Sequence, residues 1–211
     1  MSLLIVTAVE AEAQAVRTAF ASRPGPTVIA GGVGPTAAAA ATARAIALAE
    51  AAQRPFRAVI NAGVAGAFAG RAHIGDVMIA TACVAAELGV TLPDRHQPLD
   101  ELGFGTNRLT CSGELTKALE GRRGQFLTLA AITGSPELAA SLADRYPDAL
   151  GEAMEGFGVA QAADAVGLPF AEVRTVSNLV GDRDVAGWDW EAAFASLTKA
   201  FQTYPEVADA H

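Results

Sequence analysis

The chain has 211 residues, 51% hydrophobic and 18% charged, which suits one globular domain, residues 1–211, with a filled core rather than a disordered segment. Its formal charge of -8, from 15 Lys and Arg against 23 Asp and Glu, argues against nucleic acid or an anionic membrane surface as a partner, because both are held by a basic face. No stretch reaches the ~18 uninterrupted apolar residues of a transmembrane helix. The first apolar run has no basic lead and closes on Glu10 and Glu12, unlike a signal peptide, and Cys83 and Cys111 form no CxxC and have no His cluster around them. Two isolated cysteines fit a reduced, cytoplasmic compartment and no metal site.

In chain order, Leu3 to Val9 is a continuous apolar run that predicts a strand buried on both faces. Glu10 to Phe20 follows as a helix, with Ala11, Ala15 and Ala19 on one stripe. Thr27 to Ala30 is a second strand, closed by Gly31-Gly32-Val33-Gly34, and Pro35 starts a helix to Ala52 because its missing N–H costs nothing at that position. Phe56 to Asn61 is a third strand, and Ala62 to Ala67 reads as a glycine-rich loop. Val77 to Val84 is a strand after the Gly75-Asp76 turn, and residues 85 to 112 form a long surface excursion of the kind that often carries binding.

Gln125 to Thr133 is the next strand. Ser135 caps a helix with Pro136 in its first turn, running to about Tyr146. Ala153 to Ala165 is helical and ends at Gly167, Pro169 to Ser177 is the last strand, and Trp188 to Tyr204 is a closing helix. Alternating strands and helices imply an α/β sandwich with helices on both faces of a largely parallel sheet. Ligands in such folds sit at the carboxyl ends of strands, which selects Val9 to Glu12, Asn61 to Ala67 and Ser177 to Asp184.

Several residues there could carry chemistry. Glu10 and Glu12 either dress a helix start, where the dipole favours carboxylates, or turn back over the strand end; residues two apart share no helix face, so only one can do the latter. Gly32 to Ala37 fits GxGxxA, but it follows the second strand, and Asn61 stands where a dinucleotide site needs an acid after the next strand. A plain turn and helix start explains it. Glu155 sits among apolar residues with Gly156 and Gly158 inside a helix, at ~1 kcal/mol per glycine relative to alanine. The glycines favour the close approach of a ligand over a surface glutamate. Asn178 is a turn residue or a ligand group that can both donate and accept. His73, His96 and His211 share no spacing with Ser or Cys that suggests a triad.

Five segments together resemble the nucleoside phosphorylase and nucleosidase superfamily: Thr7-Ala8-Val9-Glu10-Ala11-Glu12, Ala30-Gly31-Gly32-Val33-Gly34-Pro35, Asn61-Ala62-Gly63-Val64-Ala65-Gly66, Ala153-Met154-Glu155-Gly156-Phe157-Gly158-Val159-Ala160, and Glu172-Val173-Arg174-Thr175-Val176-Ser177-Asn178-Leu179-Val180-Gly181. The likeness spans nearly the whole chain and is weakest over residues 85 to 125. The last two segments resemble the futalosine hydrolase branch in particular, purine nucleosidases of menaquinone biosynthesis. The resemblance implies a three-layer αβα sandwich on a central mixed β-sheet and hydrolysis of the N-ribosidic bond of futalosine, which releases hypoxanthine. It implies no metal or organic cofactor, a small-molecule nucleoside and water as reactants, and a homo-oligomer.

The same resemblance implies roles. Glu12 takes the place of the base that activates water, Met154 and Glu155 that of the pair at the ribose, and Asn178 that of an aspartate that meets purine N7 in adenine-releasing relatives. Val64, Gly66, Ile132, Thr133 and Arg174 fall at substrate-binding positions, with the Ile132–Gly134 strand end offering backbone groups to the purine. The amide at 178 has a chemical reading: it can donate to O6 of a 6-oxopurine and accept from a protonated N7, whereas a carboxylate would face O6 with like-signed lone pairs. Val64 replaces a serine that relatives use for phosphate, and no arginine follows the Gly32–Gly34 turn until Arg44, which favours water over phosphate as nucleophile. Arg95 or Arg108, with Phe104, could meet the carboxylate-bearing arm of the substrate, or be solvated loop residues. A nucleosidase for methylthioadenosine, adenosylhomocysteine or aminodeoxyfutalosine stays open as an alternative. So do a purine nucleoside phosphorylase and a non-catalytic nucleotide-binding module.

Overall fold

A computed structural model describes residues 2–204; His211 lies outside them. Every residue of β1 (Leu3–Thr7) is buried, and its side chains alternate between two cores, as strand geometry requires. Leu4 and Val6 pack under α2 (Pro35–Ala51) and α5 (Gly156–Asp164), with Ile46, Phe157 and Ala160. Leu3 and Ile5 pack under α1 (Glu10–Ala19) and α6 (Trp190–Gln202), with Val16, Leu197 and Phe201. That alternation makes the three layers: helices, sheet, helices. A third cluster lies under α4 (Pro136–Arg145), where Ala139 meets Phe68 and Leu127.

The sheet is mixed. β1 pairs in parallel with β2 (Thr27–Ala30) and with β3 (Ala58–Ala67). β3 also runs parallel to β10 (Phe170–Leu179), which is antiparallel to β4 (Val77–Ala85). β4 continues in parallel to β8 (Arg122–Thr128), and β8 to β9 (Ala149–Ala153). β9 closes back, antiparallel, on the last residues of β3. Five strands therefore form a ring, with β1 and β2 extending it on one side.

The excursion carries a two-stranded ribbon, β5 (Gly89–Thr91) with β6 (His96–Pro98), then β7 (Arg108–Thr110), which adds to the edge of β4. A single turn, α3 (Gly113–Thr116), follows. Among the described residues no helix is long and apolar enough to cross a membrane.

Some elements depart from the sequence expectation. Ala62 to Ala67 is not a loop: it prolongs β3, because its backbone groups find partners on β10 and, at Gly66 and Ala67, on β9. The first strand stops at Thr7, and the strand expected over Gln125 to Thr133 runs over Arg122–Thr128 instead. β9 was not expected, since Ala-Leu-Gly-Glu-Ala holds no β-branched or aromatic residue; pairing on both sides makes it a strand. β10 runs on to Leu179, so Asn178 lies within the strand.

Candidate active site

The carboxyl ends of β1, β3, β9 and β10 surround a cavity of about 210 Å³, at the small end for a ligand site, where ~300–1,000 Å³ is usual for drug-sized molecules. All three strand-end segments selected from the sequence contribute to its wall, including Glu12, Val64 and Asn178.

Glu12 arrives there through a gap in the sheet. β1 pairs with β3 only as far as Asn61, and β9 takes up β3 only at Gly66. Between those points the Glu12 carboxylate stands where a strand would. Its Oε1 accepts from the Val64 N–H at 2.9 Å, and its Oε2 accepts from the N–H groups of Ala8 at 2.9 Å and Val9 at 3.1 Å. The Val9 contact also caps α1, with Glu12 in the third helical position. Burial pushes the Glu12 carboxyl above the usual glutamate range; Arg174 and the backbone donors pull it back only in part. Glu10 points the other way, exposed and paired with Arg17.

Behind the cavity floor lies a buried ionic lattice centred on Arg174, which is 1% exposed. Its Nε donates to Glu172 Oε1 at 2.8 Å and its Nη2 to Glu155 Oε2 at 3.2 Å and to Asn61 Oδ1. Burial alone would depress the guanidinium, but Glu172, Glu155 and Glu12 together outweigh that and hold it firmly charged. Glu155 Oε1 accepts from the Gly34 N–H at 3.1 Å, across from α2. Glu172 Oε2 accepts from the Cys83 thiol at 2.8 Å. Burial keeps Cys83 protonated by raising it well above the ordinary thiol value. Cys83 and Cys111 are both free and buried, with sulfurs 3.8 Å apart.

The glycines around Glu155 have a different reason from the one expected. A Cβ at Gly156 would overlap the Glu172 carboxylate, and one at Gly158 would overlap the Pro35 carbonyl of α2. They admit a buried acid and a neighbouring helix, not a ligand. Gly63 likewise leaves room for Glu12 and Arg174. The Gly32–Gly34 turn, with φ of 95° and 93° at its two glycines, needs a left-handed backbone that glycine supplies; its Gly34 N–H serves Glu155.

Arg174 thus stands behind the wall, while Met154, Val64, Gly66, Ile132 and Thr133 line it with Glu155 and Asn178. Thr133 turns its N–H and hydroxyl away to Glu152, at 2.7 and 2.6 Å. Its N–H is engaged there because β8 ends at Thr128 and the loop that follows reaches Glu152 of β9. Asn178 is half-buried; its Oδ1 accepts from Ser177 Oγ at 2.8 Å and its Nδ2 donates to the Leu179 carbonyl at 3.0 Å.

Sequence reasoning missed an aromatic wall. Both tryptophans of the chain, Trp188 and Trp190, line the cavity with Phe194, their indoles 5.1 Å apart. Their placement just after a strand-end loop was the available signal. Arg95, Phe104 and Arg108 do not line it; Phe104 is 79% exposed. Arg44 borders a separate groove between α2 and β2. Among the described residues no three His, Cys, Asp or Glu side chains converge as a metal cage would require.

A curled mixed sheet between helical layers, with two buried carboxylates at its strand ends, defines a nucleoside-processing fold of the phosphorylase superfamily, and the chain belongs to that superfamily: residues 8–204 match its family profile. Within it the chain belongs to the futalosine hydrolase family. It is 44% identical over 219 aligned residues to the futalosine hydrolase of Streptomyces coelicolor, across 95% of this chain and 93% of that one. It is 40% identical to the futalosine hydrolase of Acidothermus cellulolyticus across 71% of this chain and 65% of that one. Among solved structures, the 5'-methylthioadenosine/S-adenosylhomocysteine nucleosidase of Helicobacter pylori superposes with a TM-score of 0.82 at 18% identity, covering 97% of each chain; the fold is shared.

Proposed function

We propose that this chain is an N-glycosyl hydrolase that cleaves futalosine at its N-ribosidic bond, giving hypoxanthine and dehypoxanthine futalosine, a step toward menaquinone. The observation that carries the mechanism is the pair of buried carboxylates, Glu12 and Glu155, fixed at one cavity by backbone N–H groups and by Arg174. The family relation carries the substrate.

Cleavage passes through a ribosyl cation with oxocarbenium character. Glu12 takes a proton from water as that water attacks the anomeric carbon. A carboxyl raised by burial is the stronger base for this, an effect typically worth ~10²–10⁴-fold. Glu155 accepts from the 2′ and 3′ hydroxyls and stabilises the positive sugar from a site already organised before reaction. Met154 packs beneath the ribose. Asn178 rotates out of its local contacts to donate to O6 and to accept from N7–H once N7 has taken a proton from solvent water; the base leaves neutral, and the proton that Glu12 takes from the attacking water returns to solvent. The protein acts as a homo-oligomer in the cytoplasm.

The test is release of hypoxanthine from futalosine in phosphate-free buffer, followed by chromatography, with methylthioadenosine in a parallel reaction. Hypoxanthine from the first and no adenine from the second is the expected result. Adenine release at a comparable rate would overturn the reading of Asn178 in favour of the methylthioadenosine alternative. Turnover only on addition of phosphate would overturn water as nucleophile.

A further inference from the structure

Two buried groups behind the cavity have no task in the hydrolysis scheme: the Glu172 carboxylate and the Cys83 thiol, which donates to Glu172 Oε2 at 2.8 Å. Glu172 and Arg174 stand two apart on β10 and so share a face of that strand. Glu172 Oε1 accepts from Arg174 Nε at 2.8 Å, while Nη2 of the same guanidinium reaches Glu155 Oε2 at 3.2 Å. One planar cation is thus gripped on one side by Glu172 and presents another side to the carboxylate assigned to the sugar. α5 begins at Gly156, and the missing Cβ there leaves the space that the Glu172 carboxylate fills.

The charges in this lattice do not balance. Glu12, Glu155 and Glu172 are each at most 3% exposed, and all three act on Arg174, a single positive charge. Burying a surplus of negative charge is a poor way to gain stability, since even a matched buried pair can often be replaced by apolar residues without loss. A surplus suits a reaction in which positive charge develops nearby. With Glu155 alone beside it, Arg174 would cancel the charge that a ribosyl cation needs. With Glu172 also beside it, Arg174 is already balanced, so it can orient Glu155 and leave that charge to the sugar. The thiol fixes Glu172 through a hydrogen bond and, because burial keeps Cys83 protonated, adds no charge of its own.

We propose that Glu172, held by the Cys83 thiol, is a positioning residue that serves as the counter-charge of Arg174, so that the guanidinium orients Glu155 without neutralising it. This inference rests on the nucleosidase reading of the cavity.

The test compares the wild type with Glu172→Gln, which keeps the shape and removes the charge. The sugar of the substrate is neutral and that of the transition state is positive, so kcat for futalosine is expected to fall ~10- to 100-fold with KM within about threefold. Calorimetric binding of two nucleoside analogues reads the charge directly. The analogue whose sugar is replaced by a protonated pyrrolidine is expected to bind Glu172→Gln ~10- to 100-fold more weakly than the wild type, and its neutral cyclopentane counterpart to bind both proteins alike. A Glu172→Gln protein that melts lower but keeps kcat, or that loses affinity for both analogues equally, would reduce Glu172 to a structural ion pair and overturn the proposal. Should Glu172→Gln fail to fold, position 83 decides. Cys83→Ala removes the donor and is expected to lower kcat about 5- to 10-fold, whereas Cys83→Ser supplies one again and is expected to keep kcat within about twofold. Equal rates in these two variants would overturn the proposal. Wild-type protein that releases no hypoxanthine from futalosine would instead sink the nucleosidase reading itself.

Discussion

The two ends of the cavity are built differently. At the end assigned to the sugar, Glu12 and Glu155 are buried, and all four of their carboxylate oxygens have fixed donors from β3, the α1 start, the Gly34 turn or Arg174. At the end assigned to the base, Asn178 is half-buried and, among the described residues, its amide is tied only to its sequence neighbours Ser177 and Leu179. The same cavity is lined by Trp188, just before α6, and by Trp190 and Phe194 on α6. The first end suits a task in which donors and charges must be in place before the transition state forms. The second suits a task in which an amide gives up weak local contacts to a ligand. Substitutions at the first should therefore cost rate, and at the second should exchange one substrate for another.

The largest expected effect tests the sugar end. Glu155→Gln should lower kcat for futalosine by ~10²–10³-fold, the scale of one preorganised stabilising group, with a smaller change in KM. Steady-state hypoxanthine release measures it, and a KM effect alone would mean that Glu155 only binds substrate. Next, Asn178→Asp should shift the preference from futalosine toward aminodeoxyfutalosine by ~5- to 150-fold. If kcat falls equally for both nucleosides, the contrast between the two ends disappears.

Gly156→Ala probes what supports the sugar end. The new methyl would overlap the Glu172 carboxylate, so the protein should lose ~1–3 kcal/mol of stability in a denaturant titration. Unchanged stability would mean that Glu172 is free to move. The smallest effect is the control. Glu10→Gln removes only an exposed pair with Arg17 and should change stability by less than ~1 kcal/mol and activity hardly at all. A large loss of rate would place the working carboxylate at Glu10 instead of Glu12.

The sequence disclosed the sugar end better than the base end, for physical reasons. β1, β2, the cap at Ser135 and the stop at Gly167 rest on local signals, an apolar run, a side-chain cap and a left-handed glycine with φ of 70°. Glu155 stood out as a carboxylate in apolar surroundings, whereas position alone left Glu10 and Glu12 open and only the resemblance singled out Glu12. β9 and the second half of β3 are strands only because distant strands pair with them, and no local pattern records that. Glu152, which lines the cavity, was missed for the same reason: it lies on β9. The glycines at 156 and 158 were conspicuous, but their cause, a buried acid and a crossing helix, lies far away in the chain.

In the proposed reaction everything turns on the buried, backbone-held Glu12 carboxylate activating water. Its most direct test is the pH dependence of futalosine hydrolysis in phosphate-free buffer, for the wild type and for Glu12→Gln. Only the ionised carboxylate can take the proton, so wild-type activity should fall as pH drops through the Glu12 value. Burial places that acid limb above the ordinary glutamate value of 4.5. Glu12→Gln should be slower by ~10²–10⁴-fold and should lose the limb. A variant that keeps both the rate and the acid limb would mean that Glu12 is not the base.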